Sequence, residues 1–149
     1  MTLQQLEPGL DGVEEWMGVL YRTILQTDAI SIVDSLSPAG SGPPRHVHAN
    51  EDEAFVILTG ACDVWIEGET TRCEAGSSIL IARGKEHTFR VTDEGESRHL
   101  VILTPGGFEG FFSDMARERF MAPEQMGDIA AVGARYGLTF TGPPLGMES

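Results

Sequence analysis

The chain is short of positive charge. Ten Lys and Arg stand against 23 Asp and Glu, for a net charge of −13 over 149 residues. A surface of that sign repels phosphate backbones and anionic headgroups, so composition argues against nucleic acid and membrane surfaces as partners. Long apolar runs are also missing. No stretch approaches the roughly 20 residues of a membrane-spanning helix. Met1-Thr2-Leu3-Gln4-Gln5 lacks the basic start and apolar core of a secretion signal, so the expectation is a cytoplasmic protein. There are only two cysteines, Cys62 and Cys73, and no CxxC pair, which disfavours a thiolate zinc site. If Glu67-Gly68 is a two-residue hairpin loop, Cys62 and Cys73 face each other across it, close enough for a disulfide. In a reducing cytosol two free thiols are the expectation. No internal repeat is visible, and no helix-turn-helix precedes the strands, which disfavours a DNA-binding regulator.

What the chain does have is punctuation. It carries 18 Gly and 8 Pro, and these separate short apolar runs. Trp16 to Leu25 and Ala29 to Leu36 are rich in strand formers. Ser37 to Pro44 (SPAGSGPP) is a loop that excludes helix and central strand. Strands are then expected over Glu53 to Thr59, Cys62 to Glu67, Glu69 to Cys73, Ser77 to Ala82, His87 to Val91 and Arg98 to Leu103. That rhythm predicts an antiparallel sandwich or barrel. Phe55 to Leu58 and Leu100 to Leu103 alternate only weakly, which predicts strands covered on both faces. After Thr104-Pro105-Gly106-Gly107 the period changes. Phe108, Phe111, Phe112 and Met115 fall at helical spacing and read as core packing. Pro123 suits the first turn of a second helix that Gly137 ends. Thr139 to Leu145 reads as an extended tail returning to the body, and Met1 to Glu15 as a surface arm, one that can reach a partner subunit. A chain of this length is expected to be one domain burying about 70% of its unfolded surface.

The chemistry concentrates between Gly40 and Gly60. His46 and His48 are two apart and so share one side of a strand. Glu53 follows a short polar segment, Ala49 to Asp52, read as a hairpin turn that returns Glu53 to the imidazoles. Two His and a carboxylate on one face suit a divalent transition metal, with a fourth ligand to come from elsewhere. His87 opens a later strand after a tight turn at Arg83-Gly84-Lys85. The fourth histidine, His99, shares a strand face with Val101 and Leu103 and reads as locally packed. Trp16 and Trp65 read as core. Phe55, Ile57, Ile81 and Phe89 are the candidates to line an interior. Arg45 and Arg83 are candidates to meet an anionic ligand, while Glu51 and Glu86 read as solvated charges.

These residues resemble the cupin family. Its first motif is matched by Gly40, five residues, His46-Val47-His48, four residues, Glu53, six residues and Gly60. The second motif is matched at Gly76, Gly84 and His87, with Ala82 in place of its Pro and Val91 in place of its Asn. Around these motifs the strands and the Gly142-Pro143-Pro144-Leu145 tail resemble small single-domain bacterial cupins similar to quercetin dioxygenases. The resemblance implies an all-β cupin jelly-roll barrel (double-stranded β-helix) with two short C-terminal helices. Residues 1–149 would form a single cupin domain, with a barrel core over about 16–104 and a helical extension over about 107–137. It implies one divalent metal (Fe, Mn, Ni, Co, Cu or Zn) on His46, His48, Glu53 and His87, and a homodimer. It further implies an oxygen-dependent dioxygenase acting on a small enolic or phenolic compound. A metal-dependent isomerase or lyase, or a non-catalytic small-molecule-binding cupin, would use the same ligands.

Overall fold

Alternation decides which side of each strand faces inward. In the computed structural model, which describes residues 4–148, eleven strands form two antiparallel sheets. The six-stranded sheet runs β1-β2-β3-β10-β5-β8. Its members are β1 (Glu14–Trp16), β2 (Val19–Gln26), β3 (Ser31–Ser37), β5 (Asp52–Thr59), β8 (Ser78–Ile81) and β10 (Ser97–Thr104). The five-stranded sheet runs β11-β4-β9-β6-β7. It comprises β4 (Pro44–His48), β6 (Ala61–Ile66), β7 (Glu69–Glu74), β9 (His87–Val91) and β11 (Leu138–Pro144). After β3 the chain changes sheet at almost every connection, giving a jelly roll rather than a stack of hairpins.

The core lies between the sheets. Val33, Phe55, Ile57, Ile81, Val101 and Leu103 of the six-stranded sheet join Cys62 and Val64 of the five-stranded sheet in one apolar cluster. Fully burying side chains of this size stabilises by about 1.5–3 kcal/mol each. The outward residues Ala54, Val56 and Leu58 are half-exposed, so β5 is covered fully on one face and partly on the other. Gly60 has φ +73, and a Cβ there would collide with the Glu96 carbonyl. The turn out of β5 therefore needs glycine.

Two helices follow the strands, α1 (Glu109–Glu118) and α2 (Met126–Ala134). Phe111, Met115, Ile129 and Val132 pack against the core cluster, as their helical spacing predicts. Pro123 lies in the turn before α2 and not in its first turn. The tail pairs with β4, with Leu138 opposite His48 and Phe140 opposite His46. Cys62 and Cys73 are register partners, and both are buried free thiols. Burial, with Cys73 and Asp63 nearby, pushes the Cys62 thiol up to about 12, so it is inert as a nucleophile at neutral pH. Among the described residues no helix is long and apolar enough to cross a membrane.

Three expectations need correction. Ala49 to Asp52 is not a hairpin turn, because β4 and β5 lie in opposite sheets. Trp16 belongs to its own short strand, paired to β2 through a turn at Met17-Gly18. Finally, the surface arm ends before Glu14, which opens β1, and it is anchored to the body. Leu6 is buried, and the Gln4 carbonyl accepts from Arg98 Nη2 at 2.6 Å; Met1 to Leu3 lie outside the described residues.

Arg98 also donates twice to Asp34, at 2.6 and 3.0 Å, and both side chains are buried. Removing one member of such a pair strands the other charge. Arg98→Ala is therefore expected to cost about 3–5 kcal/mol in urea denaturation. The double variant Asp34→Leu/Arg98→Met should recover most of that loss; equal losses in the single and double variants would contradict the pairing.

Candidate metal centre

Four buried side chains converge between the sheets. His46 and His48 project from β4, Glu53 from the start of β5 and His87 from the first position of β9. His46 and His87 are register partners. One ligand atom from each of the four residues lies within 4.8 Å of every other. Glu53 Oε1 is 2.9 Å from His87 Nε2, and Glu53 Oε2 is 3.7 Å from His48 Nε2. The sheet-to-sheet crossing after β4 puts the carboxylate opposite the imidazoles rather than beside them.

The far side of each ring is also placed. His46 Nδ1–H donates to the Pro44 carbonyl at 2.8 Å. His87 Nδ1–H donates to the Lys85 carbonyl at 3.0 Å. His48 Nδ1 faces Glu51 Oε1 at 3.5 Å. Nδ1–H donation fixes the tautomer in which Nε2 carries the lone pair, the form a metal requires.

The electrostatics follow from burial. Desolvation, with the neighbouring imidazoles, pushes His46 down to about 3, so its ring is neutral. Desolvation works to raise Glu53, but His48 and His87 outweigh it and hold the carboxyl at about 2. Burial works to lower His87, yet the hydrogen bond and charge of Glu53 carry it above the ordinary value. Its Nδ1 meets the Lys85 carbonyl and its Nε2 faces the Glu53 carboxylate.

The surroundings are aromatic. Phe55 lies 5.4 Å from Phe89, and His99 sits 5.2 and 5.1 Å from those two rings. His99 is thus packed inside as expected, and its Nδ1 has no hydrogen-bond partner. Ile57 and Ile81 are buried in the same interior. Phe108 meets His48 edge-on at 4.4 Å, so the aromatic stripe of α1 reaches the site as well as the core. A separate groove of about 470 Å³ is lined by Ile66, Glu67, Glu69, Thr71, Leu80, Ala82 and Lys85 and by none of the four converging residues.

Several sequence readings find other roles here. Arg45 points outward, stacked over Trp65 at 4.6 Å and bonded to the Pro143 carbonyl and Glu148, so neither residue enters the interior. Trp16 packs edge-on to Phe111 and donates to the Phe120 carbonyl. Arg83 is paired with Asp52. Glu51, read as solvated, is 6% exposed. Its position three residues after His48 was the available signal. Glu109 is likewise buried, with one oxygen accepting from Gly107 N–H and the other unpartnered; nothing in the sequence marked it.

The cupin domain family model matches residues 33–103. Residues 33–103 are a cupin domain. Over 103 residues the chain is 30% identical to the endoribonuclease YbeY of Myxococcus xanthus, covering 68% of this chain and 34% of that protein. Over 81 residues it is 28% identical to quercetin 2,3-dioxygenase of Bacillus subtilis, covering 54% and 24%. The chain therefore spans only a quarter to a third of these curated relatives. The solved structure of KdgF from Halomonas sp. superposes with a TM-score of 0.59 at 20% identity, covering 72% of this chain and 90% of that one. That likeness is one of fold.

His99 makes stability depend on pH in a defined direction. Burial, only partly offset by Glu53 and Asp34, lowers its pKa from 6.5 to about 4. The unfolded chain therefore binds more protons between these values, and stability falls as pH drops from 6.5 toward 4. The contribution is about 3 kcal/mol. His99→Leu should flatten this acid limb in thermal melts across pH; an unchanged slope would contradict a buried neutral imidazole.

Proposed function

We propose that His46, His48, Glu53 and His87 hold one divalent transition metal, and that this single cupin domain acts with dioxygen on a small enolic or phenolic compound. The convergence of three buried imidazoles and an ionised carboxylate carries the reading. Three Nε2 atoms and a carboxylate oxygen suit Fe, Mn, Ni, Co, Cu or Zn. A metal there would supply the positive charge that answers Glu53. When bound, it supplies Lewis-acid activation of an enolic oxygen and, if redox-active, electron transfer toward dioxygen. The match to a quercetin 2,3-dioxygenase supports the oxygen-dependent form.

The chain's own residues have clear parts. Glu53, ionised and between two imidazoles, is placed to accept the proton of an acidic hydroxyl. Phe55, Phe89 and Phe108 exclude water from the reacting atoms. The net charge of −13 disfavours RNA as a substrate.

We also take the working unit to be a homodimer, in a reducing cytoplasm that keeps Cys62 and Cys73 as thiols. Leu25, Ile32, Ile102, Ala54 and Leu80 form a cross-strand row on the outer face of the six-stranded sheet. Leu25 and Leu80 are 42% and 66% exposed, an apolar strip suited to a second copy.

Protein purified without chelator is expected to contain about one transition metal per chain by mass spectrometry, and His48→Ala none. Flavonols and 1,3-diketones should then drive oxygen uptake at an electrode. Turnover persisting under nitrogen would replace the oxygenase reading with an isomerase or lyase. Absence of metal after reconstitution would remove the metal centre. Light scattering should give twice the chain mass for the parent and a monomer for Leu80→Asp; a monomeric parent would contradict the dimer.

A further inference from the structure

Glu51 is the one residue of the β4–β5 crossover that turns inward. Ala49 and Asn50 are exposed and Asp52 is half-buried, while Glu51 is buried. A carboxylate taken out of water without a partner is costly, so its placement needs a reason. Glu51 Oε1 has no hydrogen-bond partner, and neither has His48 Nδ1. These two unpartnered atoms face each other at 3.5 Å.

The crossover is held in place independently of this pair. Ala49 N–H donates to the Gly137 carbonyl at 2.9 Å, and Gly84 N–H to the His48 carbonyl at 2.8 Å. Asp52 accepts from the Arg83 N–H at 2.9 Å and from its guanidinium. Gly137 has φ +72, and a Cβ there would strike the Asn50 side chain, so the loop seats closely on the end of α2. Glu51 is delivered to His48 by a loop fixed at both ends.

The other two imidazoles donate Nδ1–H to backbone carbonyls, and His48 has Glu51 in the equivalent place. We infer that Glu51 is a positioning residue: its carboxylate accepts the Nδ1–H of His48, fixes that ring's tautomer and orientation, and raises its basicity toward a metal. Glu51 lies behind the ring, on the side away from Nε2 and Glu53, so it acts through His48 and not as a ligand. Phe108, edge-on to the same ring, limits tilting while Glu51 sets rotation. The inference rests on the proposed metal centre.

The test is titration of the metal-free full chain with cobalt(II), following the visible d–d bands and competition with a chelator. Glu51→Ala, which removes the acceptor, should weaken cobalt binding by about 10- to 100-fold and change the band envelope. Glu51→Gln keeps an acceptor oxygen and should bind within a few-fold of the parent. The thermal midpoint of metal-free Glu51→Ala should stay close to that of the parent, since the substitution loses the His48 contact but also relieves the burial of a carboxylate. Parent affinity and bands retained in Glu51→Ala would overturn the positioning role while leaving the metal centre standing. Loss in both variants as complete as in His48→Ala would make Glu51 a ligand and also overturn it. Cobalt failing to bind the parent would overturn the metal centre itself, and this role with it.

Discussion

The charge of Glu53 is the constraint around which the interior is arranged. A carboxylate 4% exposed between two apolar sheets is tolerated only where opposite charge or strong donors meet it. His48 and His87 meet it from the facing sheet, with His87 Nε2 at 2.9 Å and His48 Nε2 at 3.7 Å. The same arrangement keeps His46 neutral and leaves lone pairs pointing at one small space. Burial, proton placement and the fitness of the site for a cation are thus one fact seen three ways.

The rest of the fold keeps those groups in register. The tail strand β11 turns β4 from an edge into an inner strand, so the two ligands on β4 sit on a backbone paired on both sides. Helix α1 brings Phe108 against His48, and the turn after α2 clamps the β4–β5 crossover at Ala49. The C-terminal third of the chain therefore belongs to the support of the site as much as to the hydrophobic core. Small shifts in such a scaffold move metal-facing nitrogens relative to one another, which is why the surrounding hydrogen bonds matter chemically.

Much of this was legible in advance because its signals are local. Strand alternation, glycine and proline at the turns, and the two-residue spacing of His46 and His48 depend on neighbours in sequence. The strands from Asp52 to Thr104 were placed to within a residue or so, as was the pairing of Cys62 with Cys73. Glu51 was misread because an acidic residue in a polar loop reads as solvated, and its spacing of three from His48 hints at a contact without showing burial. The mistaken hairpin after His48 arose because four polar residues can turn a chain within a sheet or carry it across to another. Arg45, a candidate for an anionic ligand, is instead engaged by Trp65 and Glu148, partners distant in sequence that no local pattern reveals.

The sequence by itself determined the short antiparallel strands, the metal-suited residue types and the acidic character that disfavours nucleic acid. Each of these is written in periodicity, spacing or composition. Only the tertiary structure decided that Glu53 faces its imidazoles from the opposite sheet, that Phe108 closes against His48 and that Glu51 stands behind it. Those relations join residues through sheet pairing and layer packing, and no run of neighbouring side chains encodes which distant surface will cover it.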